Sequence, residues 1–150
     1  MNAGSPEPSS VAGIRSNGSG AGPKSLFRPY LELVRIPLTL TAVADSFAGY
    51  CLAKAIQGGA PSLGAMICVA GASVLSLWMG MASNDLFDAV RDRSRHPDRP
   101  IARGAVSSAA AAFFSALLAL GAIGAAISVS PATALCTLCL ILLAVIYNMG

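Results

Sequence analysis

Residues 84–92 read Asn84-Asp85-Leu86-Phe87-Asp88-Ala89-Val90-Arg91-Asp92, and residues 93–104 continue Arg93-Ser94-Arg95-His96-Pro97-Asp98-Arg99-Pro100-Ile101-Ala102-Arg103-Gly104. This stretch, the motif segment, holds five of the 10 Lys and Arg residues and four of the 7 acidic residues of the chain. It lies between two apolar runs, although charged residues are only 11% of the sequence. Polar chemistry is therefore concentrated in the motif segment.

The acidic residues of the motif segment have helical spacing. Asp85, Asp88 and Asp92 stand at i, i+3 and i+7, and Asn84 precedes Asp88 by four residues, so one helical face holds all four. Carboxylates this close repel one another unless a strong positive charge lies among them. Such oxygen ligands suit Mg²⁺, which bridges carboxylates to substrate phosphates. The pattern predicts a Mg²⁺ site at Asp85, Asp88 and Asp92 that binds a diphosphate.

Composition and hydropathy place the chain in the membrane class. Apolar residues make up 55% of it, and its mean hydropathy is +0.67. We predict an all-α polytopic transmembrane helix bundle, formed by residues 27–150, with the motif segment as a loop. The predicted spans are about 36–56, 63–83, 105–129 and 131–149. The net charge of +3 gathers at segment ends, so a nucleic-acid partner is not indicated.

The amino-terminal part of the chain differs from the rest. Residues 1–26 are rich in Gly, Ser, Pro and Ala and lack the apolar core of a signal peptide, so we predict a disordered cytoplasmic tail. Residues 25–34 mix apolar side chains with Arg28 and Glu32, a pattern typical of an amphipathic helix at the membrane interface.

Asp45 lies inside the first predicted span. An acid at mid-span costs at least ~2.5 kcal/mol on insertion scales and normally faces a bundle interior or a water-filled cavity. Two roles stay open for Asp45, namely lining a substrate pocket and making a structural hydrogen bond.

Basic residues predict the orientation in the cell membrane. Arg15, Lys24, Arg28 and Arg35 precede the first span, and the five arginines of the motif segment lie between the second and third spans. Two crossings separate these groups, so both lie on one side, which the positive-inside rule makes the cytoplasm. We predict a multi-pass protein whose amino terminus and motif segment are cytoplasmic. Orientation alone explains the arginines but not the aspartates, because acids contribute little to topology.

The motif segment resembles the first aspartate-rich motif of the UbiA superfamily of intramembrane prenyltransferases. That motif reads Asn-Asp-x-x-Asp-x-x-x-Asp, followed by Arg-Pro-hydrophobic and a Gly, and it matches residues 84–92, residues 99–101 and Gly104. The Arg and Pro of residues 34–37 are similar to the start of the family's first helix. Residues 44–49, Ala44-Asp45-Ser46-Phe47-Ala48-Gly49, resemble the EboC-like subgroup.

The resemblance implies an enzyme that moves a prenyl group from a prenyl diphosphate to a hydrophobic, often aromatic, acceptor in the bilayer. It implies Mg²⁺ as cofactor, held by Asp85, Asp88 and Asp92 as catalytic residues. Arg99 is the best candidate for a diphosphate contact, because Pro100 limits its freedom and a guanidinium grips phosphate in a bidentate fashion. The expected substrate-binding residues are Asn84, Arg99, Arg91, Asp45 and Arg35.

Superfamily members have about nine spans and a second aspartate-rich motif in their later half, whereas this sequence has no Asp after Asp98. We therefore expect the chain to be the amino-terminal part of a longer protein and to be inactive alone. The alternative is a non-catalytic membrane protein that binds or carries a prenylated or phosphorylated lipid.

Overall fold

Long apolar runs form the helices of this protein, and segments with Pro, Gly or charged residues separate them. The computed structural model describes residues 27–34 and 38–150, and these contain six helices and no strand. The helices are α1 Arg28–Leu33, α2 Thr39–Ile56, α3 Leu63–Phe87, α4 Ala89–Arg95, α5 Ser108–Ile127 and α6 Pro131–Met149. The predicted all-α architecture is confirmed.

A serine is the N-cap residue of each of the three longest helices. Ser62, Ser107 and Ser130 adopt extended backbone conformations, and each side chain accepts a hydrogen bond from the backbone N–H three residues on. These contacts satisfy N–H groups that a helix start leaves without an intrahelical partner. In α6 the next residue is Pro131, whose missing N–H costs nothing at this position.

Helix α3 is the centre of the bundle, because it packs against each of the other five helices. Met79 of α3, Leu118 and Ala122 of α5, and Ile141 of α6 form one buried cluster. Small residues on α5 let the helices approach closely, which matters in a bilayer, where association depends on van der Waals contact.

Three of the described helices, α3, α5 and α6, are long and apolar enough to cross a membrane. They coincide with three of the four predicted spans. Helix α2 occupies the position of the fourth, but it is not among these three and carries Asp45 and Lys54. A crossing by α2 therefore remains a prediction, as do the orientation of the bundle and the domain limits. The predicted tail, residues 1–26, lies outside the described residues.

The motif segment, which we predicted as a loop whose aspartates share one helical face, is helical over its first half. The first four of its residues continue α3, and residues 89–95 form α4. Backbone hydrogen bonds run through the junction, from the Asp88 N–H to the Asn84 carbonyl at 2.9 Å and from the Asp92 N–H to the Asp88 carbonyl at 2.8 Å. Helical pairing thus extends beyond the end of the apolar run and carries the aspartates with it.

Helix α1 packs against the motif segment. Leu33 is fully buried and lies in a cluster with Ala89, Ile101, Val106 and Ala111. This cluster joins α1, α4, the loop after α4 and the start of α5 at one end of the bundle. Gly104 in that loop has a positive φ of 74°, which glycine adopts without steric cost, and the chain turns there towards α5.

Candidate functional site

Asp85 and Asp92 both form ion pairs with Arg99. The Arg99 Nη1 atom donates to Asp85 Oδ1 at 3.2 Å and to Asp92 Oδ2 at 2.6 Å. The Asp85 and Asp92 side chains are only 8% and 4% exposed, and the Arg99 side chain is 25% exposed. Buried carboxylates at this separation need such a cation, since desolvation and mutual repulsion both oppose their ionised forms. We call these three residues the aspartate–arginine cluster.

Asp88 has different partners. It lies between α3 and α4, where it is both the C-cap residue of α3 and the N-cap residue of α4. Its carboxylate accepts from Arg91 Nη1 at 3.1 Å and from Asn84 Nδ2 at 3.4 Å. The structure thus brings Asp85 and Asp92 to one guanidinium and directs Asp88 towards Asn84 and Arg91.

The backbone beside Arg99 is held firmly. Pro100 and Ile101 are buried, and Ile101 belongs to the cluster around Leu33. The Pro100 carbonyl accepts hydrogen bonds from the N–H groups of Ala105 at 2.9 Å and Val106 at 3.2 Å. The burial and hydrogen bonding of Pro100 and Ile101 therefore fix the backbone position from which the Arg99 side chain extends.

The donor set of the aspartate–arginine cluster fits a hard divalent cation. Over the part of the chain that the structure describes, no group of three or more His, Cys, Asp or Glu side chains is arranged to hold a metal ion. Mg²⁺ does not require such a group, since it commonly binds one or two carboxylates together with water and substrate phosphates. Asp85 and Asp92, whose oxygens already converge on one cation, meet this smaller requirement. The Mg²⁺ site remains a prediction.

An apolar cavity of about 540 Å³ lies between α3 and α6. Its walls are mostly aliphatic, and Asn84 and Asp85 line one end of it. Asn148 closes α6 against α3 there, because its Nδ2 donates to the Gly80 carbonyl at 3.0 Å and to Ser83 Oγ at 2.8 Å. The remaining lining residues are Ser76, Leu77, Gly80, Met81, Leu140, Leu143, Ala144, Tyr147 and Asn148.

A second cavity, of about 440 Å³, adjoins the apolar cavity and shares Ser76, Leu77 and Leu140 with it. We call it the deep cavity, because it continues along α3 to Val69. From Asp85 to Val69 is 16 residues, or about 24 Å of helix at 1.5 Å per residue. The two cavities together thus approach the ~30 Å thickness of the hydrocarbon core.

A polar pocket of about 370 Å³ also borders Asp85. It is lined by Glu32, Asp85, Arg95, His96, Pro97, Asp98, Arg99 and Pro100. Asp85 therefore lines both the polar pocket and the apolar cavity. Asp85 is the member of the aspartate–arginine cluster that borders both, so a charged group and an apolar group could each lie next to it.

Sequence reasoning missed two residues of this region, Glu32 and Asn148. Glu32 lines the polar pocket, and its Oε2 accepts from Arg103 Nη2 at 2.5 Å. The only sequence signal for Glu32 was its place in the amphipathic pattern of residues 25–34. Asn148 had a weaker signal, as a polar residue near the end of an apolar run.

Among the described residues, Asp45 is not brought to the cluster. Asp45 is exposed, whereas its neighbour Ser46 lines the deep cavity. Arg35 lies outside the described residues. Arg91 is exposed and reaches the site only through Asp88.

Comparisons with known proteins agree with this architecture. The profile of the UbiA prenyltransferase family matches residues 43–150. Digeranylgeranylglyceryl phosphate synthase of Halobacterium salinarum is 39% identical over 109 residues, which cover 73% of this chain and 38% of that protein. The enzyme of the same name from Methanopyrus kandleri is 37% identical over 113 residues, or 75% of this chain and 38% of that protein. The chain thus spans well under half the length of these relatives.

One solved structure is similar in fold. It is described as "Structural and mechanistic insights into the biosynthesis of Digeranylgeranylglyceryl phosphate synthase in membranes" and superposes with a TM-score of 0.76. The match covers 83% of this chain and 44% of that chain, at 22% identity. This likeness shows a common fold.

Proposed function

Because the chain belongs to the UbiA prenyltransferase family, we propose that the complete protein transfers a prenyl group from a prenyl diphosphate to an acceptor within the membrane. One observation carries this proposal, namely the position of Asp85 between an apolar cavity and an arginine-lined polar pocket. A prenyl diphosphate is an apolar chain that ends in a highly charged head, and it matches that pair of compartments.

The apolar side of the site would hold the prenyl chain. Leu77, Met81, Leu140 and Leu143 provide aliphatic walls, and the deep cavity extends the space along α3. Within the bilayer, such apolar walls would keep water away from the carbon that the acceptor attacks and so limit hydrolysis. The length of the two cavities favours a long prenyl chain over a short one.

The polar side would hold the diphosphate. Arg99 lines the polar pocket and presents a guanidinium, which binds phosphate oxygens through paired N–H donors. We assign the metal to Asp85 and Asp92, with Asp88 held in place by Asn84 and Arg91. Mg²⁺ bound there would offset the negative charge that develops on the departing diphosphate.

The acceptor in our proposal is a glyceryl phosphate lipid, with an aromatic compound as the competing class. Relatives covering 73–75% of this chain are named for the synthesis of a digeranylgeranylglyceryl phosphate. Arg95 and His96 also line the polar pocket, beyond Arg99, and they offer donors for a second phosphate. We further propose that the pocket opens towards the cytoplasm, since the motif segment carries half of the basic residues.

The test uses the complete protein in detergent micelles with geranylgeranyl diphosphate and Mg²⁺. Geranylgeranylglyceryl phosphate and 4-hydroxybenzoate are offered as acceptors, and both diphosphate release and the prenylated product are measured. We expect transfer to the glyceryl phosphate and loss of transfer in Asp92→Asn, which keeps the shape of the side chain but removes its charge. Arg93→Gln, an exposed change in the same segment, should retain activity.

The outcomes separate the two functions considered for this protein. Binding of the prenyl diphosphate without release of diphosphate would contradict transferase activity and support a lipid-binding role. Full turnover in Asp92→Asn would contradict the assignment of the metal to this aspartate. Transfer to 4-hydroxybenzoate alone would replace the proposed acceptor with an aromatic one.

A further inference from the structure

Arg99 is paired with the two carboxylates that a cation bound to Asp85 and Asp92 would use. Both hydrogen bonds come from one nitrogen, Nη1, which lies 3.2 Å from Asp85 Oδ1 and 2.6 Å from Asp92 Oδ2. Mg²⁺ binds oxygen at about 2.0–2.1 Å. A divalent ion bound to these same two oxygens would repel the positively charged guanidinium that now shares them. The two carboxylates can therefore serve Arg99 or a divalent ion, but not both in this arrangement.

The cluster also explains why some cation must be present. The Asp85 side chain is 8% exposed and that of Asp92 is 4% exposed, so water can do little to offset their repulsion. Asp85 comes from α3 and Asp92 from α4, and an unbalanced charge would push these helices apart. Arg99 is a cation that pairs with both carboxylates and so reduces this repulsion.

A second partner for Arg99 is available next to the cluster. Its side chain is 25% exposed and lines the polar pocket, where the proposed function places the diphosphate. A guanidinium has five N–H donors in a planar fork that matches phosphate oxygens. Moving towards the pocket would therefore exchange two carboxylates for a diphosphate without leaving the guanidinium unpaired.

We propose that Arg99 holds the place of the divalent cation in the substrate-free protein and releases Asp85 and Asp92 to the metal when a diphosphate binds. This inference rests on the proposed function, because it assumes that a diphosphate and a metal ion meet at this site. It predicts that metal binding is weak without substrate, which would keep the carboxylates from being occupied by an ion before the prenyl donor arrives.

The first experiment measures Mn²⁺ binding by electron paramagnetic resonance, on the complete protein without any diphosphate. Arg99→Gln removes the competing charge, and we expect it to bind Mn²⁺ about tenfold more tightly than the wild type, within the usual range of coupling between two sites. Arg93→Gln removes one charge from an exposed position of α4 and serves as the matched control. It should change the affinity by less than about twofold, because exposed charges are screened by water and salt.

The second experiment avoids the metal and does not need Arg99→Gln to fold. Binding of inorganic pyrophosphate is measured calorimetrically in the presence of EDTA. In the Asp92→Asn protein, Arg99 has lost one of its two charged partners. We therefore expect this variant to bind pyrophosphate about tenfold more tightly than the wild type. Asp98→Asn removes an exposed carboxylate from the same pocket but leaves the cluster paired, and its effect should be clearly smaller.

Two results would overturn the inference. One is a folded Arg99→Gln protein that binds Mn²⁺ no more tightly than Arg93→Gln. The other is an Asp92→Asn protein that gains no more affinity for pyrophosphate than Asp98→Asn does. If prenyl transfer occurs but either of these results is found, the proposed exchange of Arg99 for the metal is wrong and the proposed function is retained. If both variants behave as expected but no prenyl transfer occurs, the exchange of Arg99 for the metal is supported and the proposed function is wrong.

Discussion

Glu32 and Arg103 lie 71 positions apart in the sequence, yet the Glu32 Oε2 and Arg103 Nη2 atoms are 2.5 Å apart in the structure. The pair connects α1 to the end of the motif segment, next to the polar pocket that Glu32 helps to line. Glu32 also accepts from Arg28 Nε at 3.2 Å. Glu32 thus receives one contact within α1 and one from the loop that carries Arg99.

We expect Glu32→Gln to lower kcat/KM about tenfold, because small displacements of groups that position a substrate are costly to catalysis. The free energy of unfolding should change by less than about 1 kcal/mol, since both side chains are at least a third exposed. Steady-state kinetics and thermal unfolding of the complete protein check the two effects. Arg28→Gln is the matched control, as it removes only the contact within α1. A double change, Glu32→Arg with Arg103→Glu, should restore part of the lost activity.

Asn148→Ala should loosen the contact of α6 with α3 beside the apolar cavity. Asn148 donates two hydrogen bonds to α3, but Ser83 Oγ keeps a bond of its own to the Gly80 carbonyl at 3.0 Å. The loss should therefore be about 1 kcal/mol, as is usual for polar contacts between membrane helices. Thermal unfolding in detergent measures it. Met149→Ala, on an exposed neighbour, should have a smaller effect, and an equal effect would contradict the role given to Asn148.

Ser76→Phe should shorten the prenyl chain that the protein accepts. Ser76 lines both the apolar cavity and the deep cavity, so a large side chain there would separate them. We expect kcat/KM for geranylgeranyl diphosphate to fall about tenfold or more, with less loss for geranyl diphosphate, because only the longer chain needs the deep cavity. Competition between the two donors measures the preference. Ala116→Phe places the same ring on an exposed position of α5 and should leave the preference unchanged.

Thr39 and Trp78 hold α2 against α3. The Trp78 Nε1 atom donates to Thr39 Oγ1 at 2.8 Å. A double-mutant cycle with Thr39→Val and Trp78→Phe isolates this bond, and we expect a coupling of about 0.6 kcal/mol, the average for such bonds between membrane helices. Additive effects of the two changes would show that the contact contributes nothing to stability.

The helices could be predicted from the sequence because each depends on a local pattern. The apolar runs located α3, α5 and α6, since crossing a bilayer requires about 20 consecutive apolar residues. The predicted span ended at residue 83, where hydropathy falls, whereas α3 continues to Phe87 and its backbone hydrogen bonds continue to Asp88. Hydropathy predicts which part of a helix lies in an apolar environment, but it does not predict where the backbone hydrogen bonds of the helix end.

The site could be predicted only in part. Helical spacing correctly identified Asp85 and Asp92 as neighbours, but it also grouped them with Asp88, whose position at the junction of two helices gives it other partners. The pairing of Arg99 with both aspartates depends on the fold of the loop that Ile101 anchors. The contact of Glu32 with Arg103 depends on the packing of α1. Neither contact can be predicted from the spacing of residues that are close in the sequence.

The anchoring of Ile101 also limits how fast Arg99 can respond to a ligand. Since the adjoining backbone is buried and hydrogen-bonded, a change of partner is confined to rotation about side-chain torsions. Such rotations take picoseconds to nanoseconds where a side chain is partly exposed, whereas enzyme turnover commonly takes about 1–1000 ms. The arginine can thus reorient many times during one catalytic cycle, and its conformational kinetics will not limit the rate of turnover.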